Sequence, residues 1–200
     1  MSKIDMLIKN GVIIKDSNNV YIDDDVEVGN GVVIYPSVSL RGNTKIGNDC
    51  VIDMGTIIDS SVIGTNNNIG PNAHIHTNTV IGDNNIIGNF VEIKDSKIGN
   101  DNRIKHLTYC GNANIGNNCN IGCGVVFSNF NYSSTSKENI VLGNNVFIGS
   151  NAVLCGPLNI SDNSVVGAGS VINEDVPKDS LAIARVRQTT KIDYFKKKNV

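Results

Sequence analysis

The chain of 200 residues is long enough for one sizeable hydrophobic core or two small ones, and its formal net charge of -2 gives no reason to expect binding to nucleic acid or to a membrane surface. It has no tryptophan and only 5% aromatic residues, and no apolar run approaches the roughly 18 residues of a membrane span. Its five cysteines include no C-x-x-C pair, which indicates reduced thiols in a cytoplasmic protein rather than a disulfide framework or a zinc site.

After an N-terminal lead-in over residues 1–20, aliphatic residues recur at intervals of six. The series begins with Ile22, Val28 and Ile34, takes an occasional five-residue step, and ends at Ile172. A period of six fits neither one long helix nor an ordinary alternating strand. It predicts short strands joined by turns, three to a triangular coil of about 18 residues, stacked about 4.8 Å apart. We therefore expect an all-β parallel β-helix of about eight coils over residues 21–177. A β-sandwich would not keep this fixed phase.

Two further positions of the repeat have predictable roles. The residue four after each aliphatic is usually small or branched, as at Val26, Cys50 and Cys119, and we expect it to share the interior. Glycine often follows the aliphatic, and asparagines are abundant. Both residue types tolerate positive φ, so we expect them at the corners of the coil.

Two segments leave the repeat. Residues 128–139, "SNFNYSSTSKEN", form a loop that extends from the coil, and a scaffold this regular has no structural need for it, so we expect the loop to be functional. Pro177 ends the last coil, and residues 178–200 form a basic C-terminal tail that we expect to be solvated.

Several polar residues interrupt the pattern without a structural purpose. His106 and Tyr109 lie at outward or corner positions, and Asn120 comes about one coil later near the same edge. The other members of this set are Lys94 and His76, which replace the glycine after an inward isoleucine, and Lys137 in the loop. A base, hydrogen-bond donors and cations in one region suit acyl transfer to the amine of an anionic substrate.

Two other chemistries are disfavoured. Cys123 is a conceivable nucleophile, but the sequence offers it no base partner. A metal site is also disfavoured, because we expect His74 and His76 to point to opposite faces of a strand and the remaining histidine is thirty residues away. The same spacing argues against a carbonic anhydrase of similar fold.

Several stretches together resemble one family: "GNFVEIKDSKIG" (88–99), "KHLTYCGNANIGNNCNIGCG" (105–124), "VFIGSNAVLCGPLNI" (146–160), "VGAGSVINEDVP" (166–177) and "IARVRQT" (183–189). The family is the acetyltransferase half of the bifunctional N-acetylglucosamine-1-phosphate uridyltransferase / glucosamine-1-phosphate N-acetyltransferases, within the hexapeptide-repeat acyltransferases. The similarity covers nearly the whole chain, and the "HLTY" to "NIG" block is specific to the family.

The resemblance implies a left-handed β-helix that forms a homotrimer with active sites between subunits. It implies that His106 is the general base for direct transfer from acetyl-CoA to the 2-amino group of glucosamine 1-phosphate, and that no metal is needed. Asn120 and Ser150 would assist catalysis. Substrate contacts would fall on His76, Lys94, Tyr109, Asn120 and Lys137. Acetyl-CoA contacts would fall on Cys123 through its backbone N–H, Asn129, Phe130, Ser150, Ala168 and Arg185.

Two departures from the family bear on function. The uridyltransferase half and its glycine-rich nucleotide-binding segment do not appear in this sequence, so we expect no uridylyl transfer. His76 stands where the family has an arginine that binds the sugar phosphate. A histidine lacks the two-pronged guanidinium and is charged only part of the time near neutral pH.

Three functions follow from these observations. The first is a glucosamine-1-phosphate N-acetyltransferase that produces the precursor of UDP-N-acetylglucosamine for the cell wall, with a separate uridyltransferase as a partner. The second keeps this chemistry with a different amino-sugar acceptor, for which His76 would be the reason. The third is a non-catalytic β-helix that supports a partner subunit.

Overall fold

In the computed structural model, which describes residues 2–195, the chain forms a left-handed parallel β-helix of about nine turns. The predicted fold class is confirmed. Residues 196–200 of the expected tail lie outside the described residues. Within residues 2–195, three parallel sheets of ten, nine and eight strands form the sides of the prism, and we name them faces A, B and C.

Face A contains ten strands: β1 (Ile13–Ile14), β4 (Val33–Ile34), β7 (Val51–Ile52), β10 (Asn68–Ile69), β13 (Ile86–Asn89), β16 (Arg103–His106), β19 (Asn120–Ile121), β24 (Phe147–Ile148), β27 (Val165–Val166) and β29 (Leu181–Ala182). Face B contains nine: β2 (Tyr21–Ile22), β5 (Ser39–Arg41), β8 (Ile57–Asp59), β11 (His74–His76), β14 (Glu92–Lys94), β17 (Tyr109–Gly111), β20 (Val126–Ser128), β25 (Val153–Cys155) and β28 (Val171–Ile172). Face C contains eight: β3 (Glu27–Val28), β6 (Lys45–Ile46), β9 (Val62–Ile63), β12 (Val80–Ile81), β15 (Lys97–Ile98), β18 (Ala113–Ile115), β23 (Ile140–Leu142) and β26 (Leu158–Ile160).

The six-residue aliphatic positions form the core. Ile52, Ile69 and Ile87 are register partners on consecutive strands of face A, and all three are fully buried. The residue four positions later is buried as well, as at Val26, Cys50 and Cys119. Each turn therefore contributes two inward positions per side, as the repeat predicts.

The corners show that asparagine and glycine have different roles. Asparagines such as Asn66 and Asn84 adopt positive φ, as expected. Most glycines that follow an inward aliphatic do not. An ideal Cβ on Gly47 would lie 2.6 Å from the carbonyl oxygen of Gly64 on the next turn. These glycines are needed because successive turns approach closely there, and the expectation of positive φ for them was wrong.

The interior also holds a column of buried amides, which the repeat does not predict. Asn67, Asn85 and Asn102 are each no more than 1% exposed. The Asn85 side-chain oxygen accepts from the backbone N–H of Asn102 at 2.9 Å, and its Nδ2 donates to Asn67 Oδ1 at 3.1 Å. The column satisfies backbone donors that would otherwise be buried without a partner.

Strand pairing extends from Ile13 to Ala182, beyond the range 21–177 expected from the phase of the repeat. Before it, α1 (Lys3–Lys9) begins at Ser2 with a capping box and buries Leu7 against the first turn. Within residues 2–195, no helix is long and apolar enough to cross a membrane.

The extruded loop is an antiparallel hairpin of β21 (Phe130–Asn131) and β22 (Ser136–Lys137). The backbone N–H of Glu138 donates to the carbonyl of Asn129 at 2.7 Å and closes the base of the hairpin. Phe127 and Leu154, on either side of it, remain register partners on face B. The hairpin therefore projects from the β-helix without shifting the turns that follow.

Candidate active site

The corner between faces A and B aligns the expected base with several expected cofactor contacts. Backbone hydrogen bonds run from Leu107 to Asn89, from Gly124 to His106, from Asn151 to Cys123 and from Gly169 to Ser150. They stack five residues on successive turns, which we call the corner column: Asn89, His106, Cys123, Ser150 and Ala168. Adjacent members are about 4.8 Å apart, the spacing of paired strands.

The corner column presents unused hydrogen-bond donors. The backbone N–H groups of Cys123, Ser150 and Ala168 donate to no other described residue. Ser150 is also exposed. Below them, an ideal Cβ on Gly169 would lie 3.9 Å from Cδ of Arg185, so the side chain of Arg185 continues the line of the column. Such a row suits an extended ligand with amide and phosphate groups.

Face B carries Tyr109, Lys94 and His76. His76 and Lys94 are register partners, and Lys94 is followed by Gly111 on the next strand. The phenol of Tyr109 lies across Gly111, because an ideal Cβ on that glycine would be 2.6 Å from Tyr109 Cζ. The same Cβ would be 2.6 Å from Nδ2 of Asn129, so the phenol and this amide meet over Gly111.

Asn129 is buried at the base of the hairpin, where its Nδ2 donates to Asn112 Oδ1 at 2.7 Å. The Nζ atom of Lys137 lies 5.2 Å from the ring centroid of Phe130, in a cation–π contact. Lys137 and half-exposed Phe130 are partners across the hairpin. The hairpin therefore holds its three expected contact residues together on the side of face B.

His76 belongs to a cluster whose geometry differs from the one expected from the sequence. The rings of His74 and His76 stack with centroids 4.2 Å apart, because residues two apart in a strand lie on the same face, not on opposite faces. His76 Nδ1 lies 2.9 Å from Thr77 Oγ1, and its Nε2 lies 3.3 Å from Glu92 Oε1. The pKa of His74 is lowered, first by burial of its own ring and second by the neighbouring His76.

Glu92 was not predicted as a site residue, although its spacing of two residues from Lys94 could have identified it. It lies two residues before Lys94 in the same strand, so both side chains point outward from face B. Glu92 is the register partner of both His74 and Tyr109. A carboxylate thus lies among the expected acceptor-binding residues and competes with an anionic ligand for His76.

Asn120 lies elsewhere on the molecule. It is on face A, between its register partners Arg103 and Phe147. In one chain it therefore does not share a face with Lys94 and Tyr109. The expected contacts therefore lie in three places: Asn120 on face A, several acetyl-CoA contacts on the corner column, and Lys94 and Tyr109 on face B.

The five cysteines, all within residues 2–195, are free thiols. Cys50, Cys110 and Cys119 are buried, and burial raises the pKa of each thiol. Cys123 and Cys155 are half-buried. Among the described residues no group of three or more histidine, cysteine, aspartate or glutamate side chains is arranged to hold a metal ion.

Comparison with protein families gives two matches. The model described as the GMPPB C-terminal domain matches residues 58–158, about half of the chain, and the model of the hexapeptide repeat of succinyl-transferase matches residues 44–60. Among curated relatives, the chain is 42% identical to the bifunctional protein GlmU of Clostridium botulinum over 96% of its own length and 45% of the relative's. It is 43% identical to the bifunctional protein GlmU of Clostridium tetani over 97% of its length and 46% of the relative's. The chain thus spans about half the length of these relatives.

Solved structures share the fold. A UDP-N-acetylglucosamine acyltransferase from Arabidopsis superposes with a TM-score of 0.74 at 24% identity, covering 87% of this chain and 70% of that one. LpxA, a UDP-N-acetylglucosamine acyltransferase from Bacteroides fragilis, gives 0.73 at 23% identity, covering 83% and 70%. At these identities the comparison shows the fold of the chain alone.

Proposed function

This chain belongs to the family described as the GMPPB C-terminal domain, and we propose that it is an acetyl-CoA-dependent N-acetyltransferase acting on glucosamine 1-phosphate. Its similarity to bifunctional GlmU proteins, which extends over nearly its whole length, supports the proposal. The observation that carries the proposal is the corner column. It aligns an exposed imidazole, His106, with the unpaired backbone N–H groups of Cys123, Ser150 and Ala168, and with Arg185 beyond them.

The residues of the column have complementary roles in this reaction. His106 accepts a proton from the acceptor amine as its nitrogen attacks the thioester carbonyl. The N–H of Cys123 and the hydroxyl of Ser150 are donors for the tetrahedral oxyanion, assisted by the amide of Asn120. When the C–S bond breaks, His106 returns the proton to the thiolate. Arg185 binds a phosphate of acetyl-CoA, and its planar guanidinium suits that group.

The acceptor is held from face B and the hairpin. Lys94 and Lys137 supply positive charge for the sugar phosphate, and the phenol of Tyr109 supplies a hydrogen bond. Asn129, at the base of the hairpin, and Phe130, in its first strand, are expected contacts of acetyl-CoA.

The division of these residues among faces supports a homotrimer. Asn120 lies on face A and Tyr109 on face B, so a site that uses both is completed when face A of one subunit approaches face B of another. A separate uridyltransferase partner would use the product, and we expect no uridylyl transfer by the chain itself.

A second acceptor is favoured by one observation. Oε1 of Glu92 lies 3.3 Å from Nε2 of His76, so the carboxylate can neutralise a positive charge on this imidazole. The position therefore offers less positive charge to a phosphate than a fixed cation would. The alternative is therefore an N-acetyltransferase for another amino sugar. A non-catalytic partner subunit is disfavoured, because a scaffold has no need for the exposed His106 or the unpaired donors beside it.

Release of free thiol from acetyl-CoA, measured with glucosamine 1-phosphate, glucosamine and UDP-glucosamine in parallel, tests the proposal. We expect preference for glucosamine 1-phosphate, and better turnover of another acceptor would favour the alternative. The matched variant His106→Ala should lose about 10²–10⁴-fold in kcat while calorimetry shows acetyl-CoA binding nearly intact. Full activity of that variant would refute the assignment of the base.

A further inference from the structure

Asn89 has a feature that packing does not explain. It ends strand β13, and its side-chain Oδ1 is buried without a hydrogen-bond partner among residues 2–195. A buried acceptor left unpaired destabilises the folded chain, and such groups in native proteins call for an explanation. The only other side-chain atom of this kind in the described chain is Thr56 Oγ1.

The position of Asn89 identifies a partner. Asn89 and His106 are register partners on adjacent strands, one turn apart in the corner column. Elsewhere in the β-helix, polar side chains stacked in this way bond to each other, as in the 2.8 Å contacts of Asn66 with Asn84 and of Asn118 with Asn145. The imidazole of His106 makes no hydrogen bond with any other described residue.

We propose that Asn89 is a positioning residue for His106, with its Oδ1 accepting a hydrogen bond from Nδ1–H of the imidazole when substrates are bound. The bond fixes the tautomer in which Nε2, at the tip of the ring, carries the lone pair and faces the acceptor amine. It also strengthens when the imidazole becomes charged, because charge-assisted hydrogen bonds are stronger than neutral ones. This role rests on the proposed function of His106 as the base.

The ionisable groups on the elements that adjoin His106 include Arg103 and Lys105 in the same strand, Cys123 on the next turn, and Tyr109, Glu92 and Lys94 on face B. Substitution of Asn89 leaves all of these groups in place. A change in the titration of His106 in an Asn89 variant therefore reports on the amide.

The first test compares pH profiles of kcat/KM for Asn89→Leu, Asn89→Asp and the control Asn114→Leu, which makes the same exchange on exposed face C. The base must be neutral to act. Asn89→Asp adds a negative acceptor, so the acidic limb should move up by about one pH unit. Asn89→Leu should move it down and lower kcat roughly 10–100-fold with little change in KM for acetyl-CoA.

Stability separates positioning from packing. Asn89→Leu removes a buried unpaired oxygen, so its urea midpoint should equal or exceed that of the parent while its activity falls. The control should keep the parent's activity and profile. A fall in activity that follows a fall in stability, with the acidic limb unmoved in both Asn89 variants, would overturn the proposal.

A second measurement does not depend on turnover. Nitrogen-15 chemical shifts of the imidazoles, assigned with single histidine variants, report the tautomer and pKa of His106 in the acetyl-CoA complex. We expect the Nδ1–H tautomer in the parent and its loss in Asn89→Leu. An Nε2–H tautomer in the parent would refute the role of Asn89. If no amine is acetylated, the proposed function fails while this result still decides the hydrogen bond.

Discussion

Replacement of Gly111 by alanine should impair binding of the acceptor while leaving the fold intact. The added methyl would lie 2.6 Å from Cζ of Tyr109 and from Nδ2 of Asn129. Carbon atoms pack comfortably at about 3.5 Å, so the phenol must retreat by about 1 Å. Its ring is the movable end of a side chain, and Gly111 does not have a positive φ, so the backbone can accept alanine.

A displacement of this size has a predictable kinetic cost. A misplacement of about 1 Å can reduce the rate by about 10²-fold. We therefore expect Gly111→Ala to lower kcat/KM for the acceptor by up to about 10²-fold. The urea midpoint should change little. The dissociation constant of acetyl-CoA should change less than kcat/KM for the acceptor, because Asn129 is the one expected acetyl-CoA contact that the methyl meets. Steady-state kinetics with each substrate varied, together with equilibrium unfolding, measures all three.

Tyr109→Phe provides the matched control, since it removes the hydroxyl that lies nearest to the added methyl. If Gly111→Ala acts through the phenol, the double variant should lose less than the sum of the two single effects. Additive losses, or an unchanged kcat/KM in Gly111→Ala, would contradict the placement of Tyr109 against the acceptor.

Three further predictions concern stability and thiol chemistry. Asn85→Ala should lower the free energy of unfolding by about 1–3 kcal/mol, because it leaves the buried N–H of Asn102 without a partner. Asn117→Ala removes the same type of bond at the surface and should cost about 1 kcal/mol or less. Equal losses of the two variants in urea unfolding at one protein concentration would refute this prediction. In the native protein a thiol reagent should label half-buried Cys123 and Cys155 only, and acetyl-CoA should slow labelling of Cys123 alone, as peptide mapping can show. The pKa of His74 is lowered in the folded state, so below about pH 6.5, near the pKa of a free imidazole, the unfolded chain binds the proton more readily and protonation favours unfolding. His74→Gln should therefore lose less stability than the parent between pH 7 and pH 5, and parallel pH profiles would contradict it.

The repeat was sufficient to predict the core because each inward position is constrained by steric contact with the same position on adjacent turns. Ile52, Ile69 and Ile87 stack as a period of six requires. Buried amides such as Asn85 were not predicted, because hydrophobicity alone does not show that a polar side chain can bond along the axis. The glycine pattern was identified correctly but explained wrongly, since close approach between turns is a property of the stacked structure.

Prediction of the site was limited by register. The positions of His106 and Tyr109 within their hexads indicated an outward or corner location, and the structure places His106 on the A–B corner and Tyr109 on face B. Which residues share a column depends on the length of every intervening turn. That length brings Glu92 between His74 and Tyr109, and Asn89 above His106. Neither neighbour can be read from a motif, because each is 17 or 18 residues away in sequence.

The hairpin shows how strictly this register is kept. Consecutive members of the corner column are separated by 17 residues from Asn89 to His106 and from His106 to Cys123, then by 27 to Ser150 and 18 to Ala168. The long step contains the hairpin, yet Phe127 and Leu154 still pair in register on face B. If the chain returned one residue out of step, a glycine or a positive-φ asparagine would replace Ser150 in the column, and inward side chains would turn outward. The core therefore fixes where the hairpin must rejoin the coil. This constraint allows a projecting loop to carry contact residues while the donors of the corner column stay aligned with the base.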